Sequence, residues 1–390
     1  MEAPKHNHRL RTILMIVSGV IFLLLGVAWF LYWLFIGRYY VITEDAYVHG
    51  NQMQITSQVS AGVKAIYAEE TDFVEKGQLL VEMEQSSYLL RYAHTKENLA
   101  NTVREVASLF QAMRAQEASL VARKAELELA QLDLKHRQGL VETGAISVEE
   151  YETFATRVLT AAANVAEAEE LLGEARVKVS GTAVRTHPLV LLQATAVREA
   201  YLNLVRCRVL APVSGYVAKR GVQVGDWIEP GTTIMMVVPL DFLWMEANYK
   251  ETNLKKVRIG QPVTFYSDLH GSSVKYEGKV VGYQAGTGTA FSILPAQNAS
   301  GNWIKIVQRV PIRVNIPKEQ LQEHPLIIGL SLHSKVDVHD TSGPMLSAVP
   351  TFEPVYHTEI YQTQMEQMEQ IDPVIQTIIE SNLPQGYQGE

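Results

Sequence analysis

The chain has 390 residues, 47% of them hydrophobic, a formal net charge of −8 and a single cysteine, Cys207. One cysteine excludes an intramolecular disulfide framework, and the acidic balance leaves no basic surface of the kind nucleic acid requires. No His-Glu-x-x-His, Cys-x-x-Cys or Gly-x-Ser-x-Gly pattern occurs and the eleven histidines are scattered, so no cofactor, metal or catalytic site is expected.

Residues 1–12 carry Lys5, Arg9 and Arg11, and Ile13 to Ile36 follow without a charge. As a helix this run reaches about 36 Å, enough to cross a hydrocarbon core of about 30 Å. Trp29, Tyr32 and Trp33 supply the aromatic enrichment of one membrane interface, and Arg38, Glu44 and Asp45 come after it. The basic excess before the span predicts a cytoplasmic N-terminus, with everything after residue 40 outside. The run exceeds the about 7–15 apolar residues of a signal peptide and no Ala-x-Ala site follows, so a retained inner-membrane anchor over 13–36 is expected.

Beyond the span, Gln58–Val81 aligns without gaps on Pro212–Met235 at a constant offset of 154. Val59 matches Val213, Ser60 Ser214, Val63 Val217, Asp72 Asp226, Phe73 Trp227 and Gly77 Gly231. Each copy reads as short alternating strands punctuated by glycine turns, too small to bury a core alone. The two copies are therefore expected to pair into one β-sandwich over 44–84 and 207–238. They resemble the split lipoyl (biotinyl-carrier-like) domain of periplasmic adaptors. A carrier domain would hold a lysine in a tight hairpin between its halves, flanked as Met-Lys-Met or Asp-Lys-Ala, and no such tripeptide is present.

Between the halves, Leu99, Val103, Val106, Phe110, Met113, Glu117, Leu120, Lys124, Leu127, Gln131 and Leu134 keep heptad spacing. On the return leg Tyr151, Phe154, Val158, Ala161, Val165, Ala168, Leu172, Ala175 and Val179 do the same. Such a/d patterning on both sides of a Gly139–Gly144 turn predicts an antiparallel coiled-coil hairpin over 86–206, with a break near Gly181 and Pro188. A plain dimerisation coiled coil is the bland alternative. In many adaptors the hairpin tip carries Arg-x3-Leu-x6-Ser, which engages an outer-membrane duct. Leu140 and Ser147 fall at that separation, with His136 at the arginine position and Arg137 beside it. Ser147 also reads as an N-cap, with Glu150 three residues on completing a capping box.

From 239 to 338 the pattern is alternating and glycine-punctuated, which predicts a small antiparallel β-barrel. The stretches 43–62, 243–263 and 286–314 (GTGTAFSILPAQNASGNWIKIVQRVPIRV) resemble the EmrA-type branch of membrane fusion proteins. Gly286-Thr-Gly-Thr-Ala lacks the Gly-Lys-Ser/Thr ending of a phosphate loop. Residues 341–390 hold seven acidic residues and no lysine or arginine, so they carry −7 of the net charge. They read as a solvated tail in which Ile371, Val374, Ile375, Ile378 and Ile379 could line one face of a short helix.

The expected fold is thus multi-domain α+β: a transmembrane helix, a β-barrel, a split lipoyl-like sandwich and a helical hairpin. The resemblance implies a non-enzymatic adaptor of a tripartite multidrug efflux pump. Its implied partners are a proton-driven, EmrB-like transporter of the major facilitator superfamily, a TolC-like outer-membrane channel and further copies of itself, three or six. Two alternatives stand: an adaptor for a type I secretion system with an ABC transporter, and a carrier-enzyme subunit.

Overall fold

The computed structural model describes residues 8–287, 290, 305–350, 352 and 354–384. Residues 288, 289 and 291–304, the middle of the 286–314 stretch, lie outside the described residues.

The chain opens with helix α1 (His8–Phe35), whose side chains from Arg11 to Tyr32 are all exposed. A short 3-10 turn leads to strands β1 (Tyr40–Thr43) and β2 (Ala46–Gly50), followed by β3 (Met53–Thr56), β4 (Ala61–Ile66), β5 (Phe73–Val74) and β6 (Leu79–Met83). Helices α2 (Ser86–Glu142), α3 (Val148–Val179) and α4 (Pro188–Arg206) come next. Strands β7 (Arg208–Leu210), β8 (Gly215–Arg220), β9 (Trp227–Ile228) and β10 (Thr233–Val238) then close the sandwich. The barrel and the C-terminal region supply β11 (Leu243–Lys250), β12 (Pro262–Ser267), β13 (Tyr276–Tyr283), β14 (Arg309–Asn315), α5 (Lys318–Glu323), β15 (Leu332–Asp337), α6 (Ile360–Glu369) and α7 (Asp372–Ser381).

The repeat at offset 154 is a pseudo-two-fold that extends further than the aligned residues. One sheet runs β3-β10-β8-β5 and the other β7-β6-β4-β9, so each half of the repeat contributes two strands to each sheet. The pairings repeat at the same offset: Val63 opposite Met83 and Val217 opposite Val237, Phe73 opposite Tyr216 and Gly62 opposite Trp227, Ile55 opposite Met235 and Val81 opposite Val209. Because the halves interleave, neither sheet exists without both. Their inner faces share a core of Val63, Val74, Leu80, Met83, Val217, Ile234, Met235 and Val237.

A seven-stranded antiparallel sheet, ordered β1-β15-β12-β13-β14-β11-β2, forms the barrel. Its ends nearly meet: the Val48 N–H donates to Leu330 O at 2.9 Å, the Gly329 N–H donates to Val48 O at 2.8 Å, and Tyr47 bridges Ser331. Strand β2, expected in the sandwich from residue 44, instead pairs with β11, Val48 opposite Met245. The sandwich therefore begins at β3, and the barrel recruits two strands from before it. The physical reason is closure: without β1 and β2 both edges of the sheet would be unpaired. Inside, Phe265 and Tyr276 stack at 5.4 Å, and the buried Tyr249 hydroxyl is satisfied by Ser334 Oγ at 2.7 Å.

The hairpin follows the heptads. On α3 every predicted seam position is buried or half-buried, and on α2 Leu99, Val103, Val106 and Phe110 are buried. The polar seam positions Glu117 and Lys124 are exposed and form ion pairs across the hairpin, with Arg176 at 3.4 Å and Glu169 at 2.9 Å. Helix α2 alone, 57 residues, reaches about 85 Å. The return breaks where expected: α3 ends at Val179, Gly181 takes φ 72°, and Pro188 occupies the first turn of α4.

The acidic tail is not solvated along its whole length. Ile371, Ile375, Ile379 and Leu383 are buried in one core with Leu99, Val103, Val106, Val190, Ala194 and Val197 of the hairpin base. Val374, expected on the same face, is 40% exposed, because the buried line runs at strict i, i+4 spacing and turns it outward. Burying side chains of this size stabilises by about 1.5–3 kcal/mol each, which outweighs the solvation of a short acidic helix.

Candidate functional site: hairpin tip and membrane anchor

Helix α2 does not stop at Gly139. Its cap is Thr143, and Gly144 takes φ 73° one residue later. The Ala145 N–H donates to Leu140 O at 2.9 Å and the Gly144 N–H to Val141 O at 3.0 Å, the paired bonds of a Schellman ending. Ser147 then caps α3, its Oγ accepting from the Glu150 N–H at 3.1 Å. Three residues separate the two caps, so hydrogen bonds hold the reversal on both sides.

This local chemistry sorts the predicted tip residues. His136 and Leu140, one turn apart, are exposed on the same face of α2, Leu140 at 44%. Arg137 turns inward: its guanidinium lies 3.7 Å from the Phe154 ring centre on the return helix, and Nη1 donates to Asp133 Oδ1 at 3.4 Å. Arg137 thus ties the two legs together. Ser147 is exposed, but its oxygen is occupied as a cap. Val148, 64% exposed beside the turn, is a further apolar tip residue that the spacing pattern did not single out. A hydrophobic residue at the first helical position, where nothing packs over it, was its one sequence signal.

At the other end, Trp29, Tyr32 and Trp33 are 69%, 59% and 47% exposed near the C-terminal end of α1. The segment Arg11–Tyr39 is long and apolar enough to cross a membrane by length and composition. Among the described residues no group of three or more His, Cys, Asp or Glu could hold a metal ion. Cys207 is fully buried, and burial together with the nearby Glu84 charge pushes its thiol up to about 11, which makes it unreactive rather than nucleophilic.

An apolar anchor helix, a nearly closed barrel, an interleaved sandwich and a helical arm inserted between the sandwich halves define a membrane fusion protein, the periplasmic adaptor class. Residues 88–207 match the family described as EMRA, alpha-helical hairpin domain. The chain is 38% identical over 363 residues to the "Multidrug export protein EmrA" of Haemophilus influenzae, covering 93% of this chain and 92% of that protein. It is 41% identical to the "Multidrug export protein EmrA" of Escherichia coli over 81% of each chain. It is also 41% identical to the "Fatty acid resistance protein FarA" of Neisseria gonorrhoeae over 85% of each. The chain belongs to the EmrA family.

Proposed function

We propose that this chain is the adaptor subunit of a tripartite multidrug efflux system, exporting hydrophobic toxic compounds, and that it works mechanically rather than as an enzyme. Helix α1 anchors it in the inner membrane with the N-terminus cytoplasmic, as the excess of Lys5, Arg9 and Arg11 favours. Trp29, Tyr32 and Trp33 settle at the interface. The barrel faces an EmrB-like major facilitator transporter, and the arm reaches toward a TolC-like outer-membrane channel. Three or six copies complete the conduit.

The observation that carries this reading is the arm: a capped hairpin projecting from the β-body, with an apolar tip that nothing among the described residues covers. His136, Leu140 and Val148 form the docking face of that tip, while Arg137 and Ser147 hold its shape. The test is photo-crosslinking in cells from position 140 and from exposed barrel positions, followed by identification of the captured proteins. An outer-membrane channel from the tip and a many-helix transporter from the barrel are expected. Capture of an ATPase at the inner membrane would move the chain to type I secretion, and failure to capture any channel from the tip would sink the conduit model.

A further inference from the structure

The arm joins the β-body through two chain crossings that lie side by side. Strand β6 enters α2 at Glu84–Gln85, α4 leaves into β7 at Cys207, and the Met83 N–H donates to Cys207 O at 2.9 Å. Near this level the Tyr88 hydroxyl donates to Ser60 O at 2.9 Å. Two adjacent connections define a hinge line, and a long lever on such a hinge can rock about it. A third support placed well off the line removes that freedom.

The C-terminal region provides such a support, because it touches the barrel, the sandwich and the arm in turn. At the barrel, the Ile259 N–H donates to Pro344 O at 3.0 Å and Gln261 Nε2 donates to Asp340 O. At the sandwich, the Thr358 hydroxyl donates to Pro212 O at 3.3 Å and Lys76 pairs with Glu359. On the arm, α7 joins the core of α2 and α4 through Ile371, Ile375, Ile379 and Leu383. Its charged rim pairs Asp372 with Arg198 at 2.7 Å and Glu380 with Arg185 at 3.8 Å, and Arg104 donates to Asn382 Oδ1. Arg104 stands about 27 Å along α2 from Ser86, so the outer attachment is far from the hinge.

We infer that residues 359–384 are a brace with an ionic latch, which sets the tilt of the arm on the β-body when docked and frees the arm to swing when released. Three of the seven acidic residues of the tail are thereby accounted for: Glu359, Asp372 and Glu380 face Lys76, Arg198 and Arg185, cations supplied by the sandwich and the arm base. The pairs are partly exposed, 35% and 42% for Arg198 and Asp372, so salt weakens them while the apolar contact persists. The brace has the build of a releasable part, being two ten-residue helices, α6 and α7, on an exposed connector over 345–350 and 354–357.

Spin labels at Leu129→Cys on the arm and Val281→Cys on the barrel measure the tilt in the full-length protein, diluted in unlabelled chain so that only intrachain distances count. Buried Cys207 stays unlabelled in the folded chain. A single narrow distance peak is expected for the otherwise unaltered protein, and its loss on Ile375→Asp with Ile379→Asp. Arg198→Glu should broaden the peak and added Asp372→Arg should restore it, a recovery that general misfolding cannot produce. High salt on the unaltered sequence should broaden it less than the Ile375→Asp, Ile379→Asp pair does, because the apolar contact persists. A peak that stays narrow in the Ile375→Asp, Ile379→Asp protein, or a charge swap that fails to restore it, overturns the inference.

Discussion

Thr71 has φ 78°, the one positive value among the described residues that are not glycine. Its pseudo-symmetric counterpart is Gly225, φ 93°, and both N–H groups donate across the sandwich, to Val217 O and Val63 O. A β-branched residue in this region is strained, while glycine enters it freely. Thr71→Gly should therefore raise stability by about 1 kcal/mol, and Gly225→Thr should lower it by about 1–2 kcal/mol. Urea midpoints of the two proteins decide this, and equal midpoints would show that the turn carries no strain. The alignment put Thr71 opposite Gly225 but gave no sign of strain, because a positive φ belongs to the backbone and not to the residue type. Cys207 offers a second check at this scale. Iodoacetamide at pH 8 should leave the folded protein unmodified and label one thiol per chain in denaturant, since the reactive thiolate is suppressed by burial.

At the scale of elements, the arm was the most legible part, because coiled-coil spacing is a local property and survives whatever surrounds it. Its tip was less so. Glycine at 139 and at 144 look alike in sequence, yet Gly139 lies inside α2 with open space where a Cβ would sit, and Gly144 ends the helix at φ 73°. Gly139→Ala should thus stabilise the arm by about 0.5–1 kcal/mol, and Gly144→Ala should destabilise it by a similar amount. Thermal melts followed by helical signal would show opposite shifts, and shifts of the same sign would contradict the cap assignment. Ser147 and Leu140 separate shape from contact. Ser147→Ala removes the cap and should cost about 1 kcal/mol, seen as faster amide exchange in the first turn of α3. Leu140→Asp changes a side chain that is already exposed, so its melting temperature should hold while drug resistance is lost. A Leu140→Asp strain with normal resistance would remove Leu140 from the docking face.

For the molecule as a whole, what the sequence left unread was which pieces touch. Alternation announced strands, but nothing local told β2 to close the barrel rather than extend the sandwich, since the alternation that buries Ala46 and Val48 marks a buried face without naming the sheet it belongs to. The stripe on α7 announced a buried face without naming the surface that covers it. The interleaved sandwich raises a sharper question, because its halves are separated in sequence by the entire arm. Met83 and Cys207 are hydrogen-bonded neighbours, so residues 86–206 can be replaced by a short Gly-Ser turn without stretching the chain. The tail must go as well, since without the arm Ile371, Ile375, Ile379 and Leu383 would have no covering surface. Such a shortened chain should still unfold cooperatively, keep Cys207 protected from alkylation, and lose most of its helical signal beyond α1. Closing the sandwich through a few residues rather than through the arm also lowers the loop entropy to be overcome, by about 2–3 kcal/mol for a loop of this length. Refolding should consequently be no slower than in the full chain. If instead the shortened chain fails to fold while the full chain refolds readily, the arm is a template for the sandwich and not a guest within it.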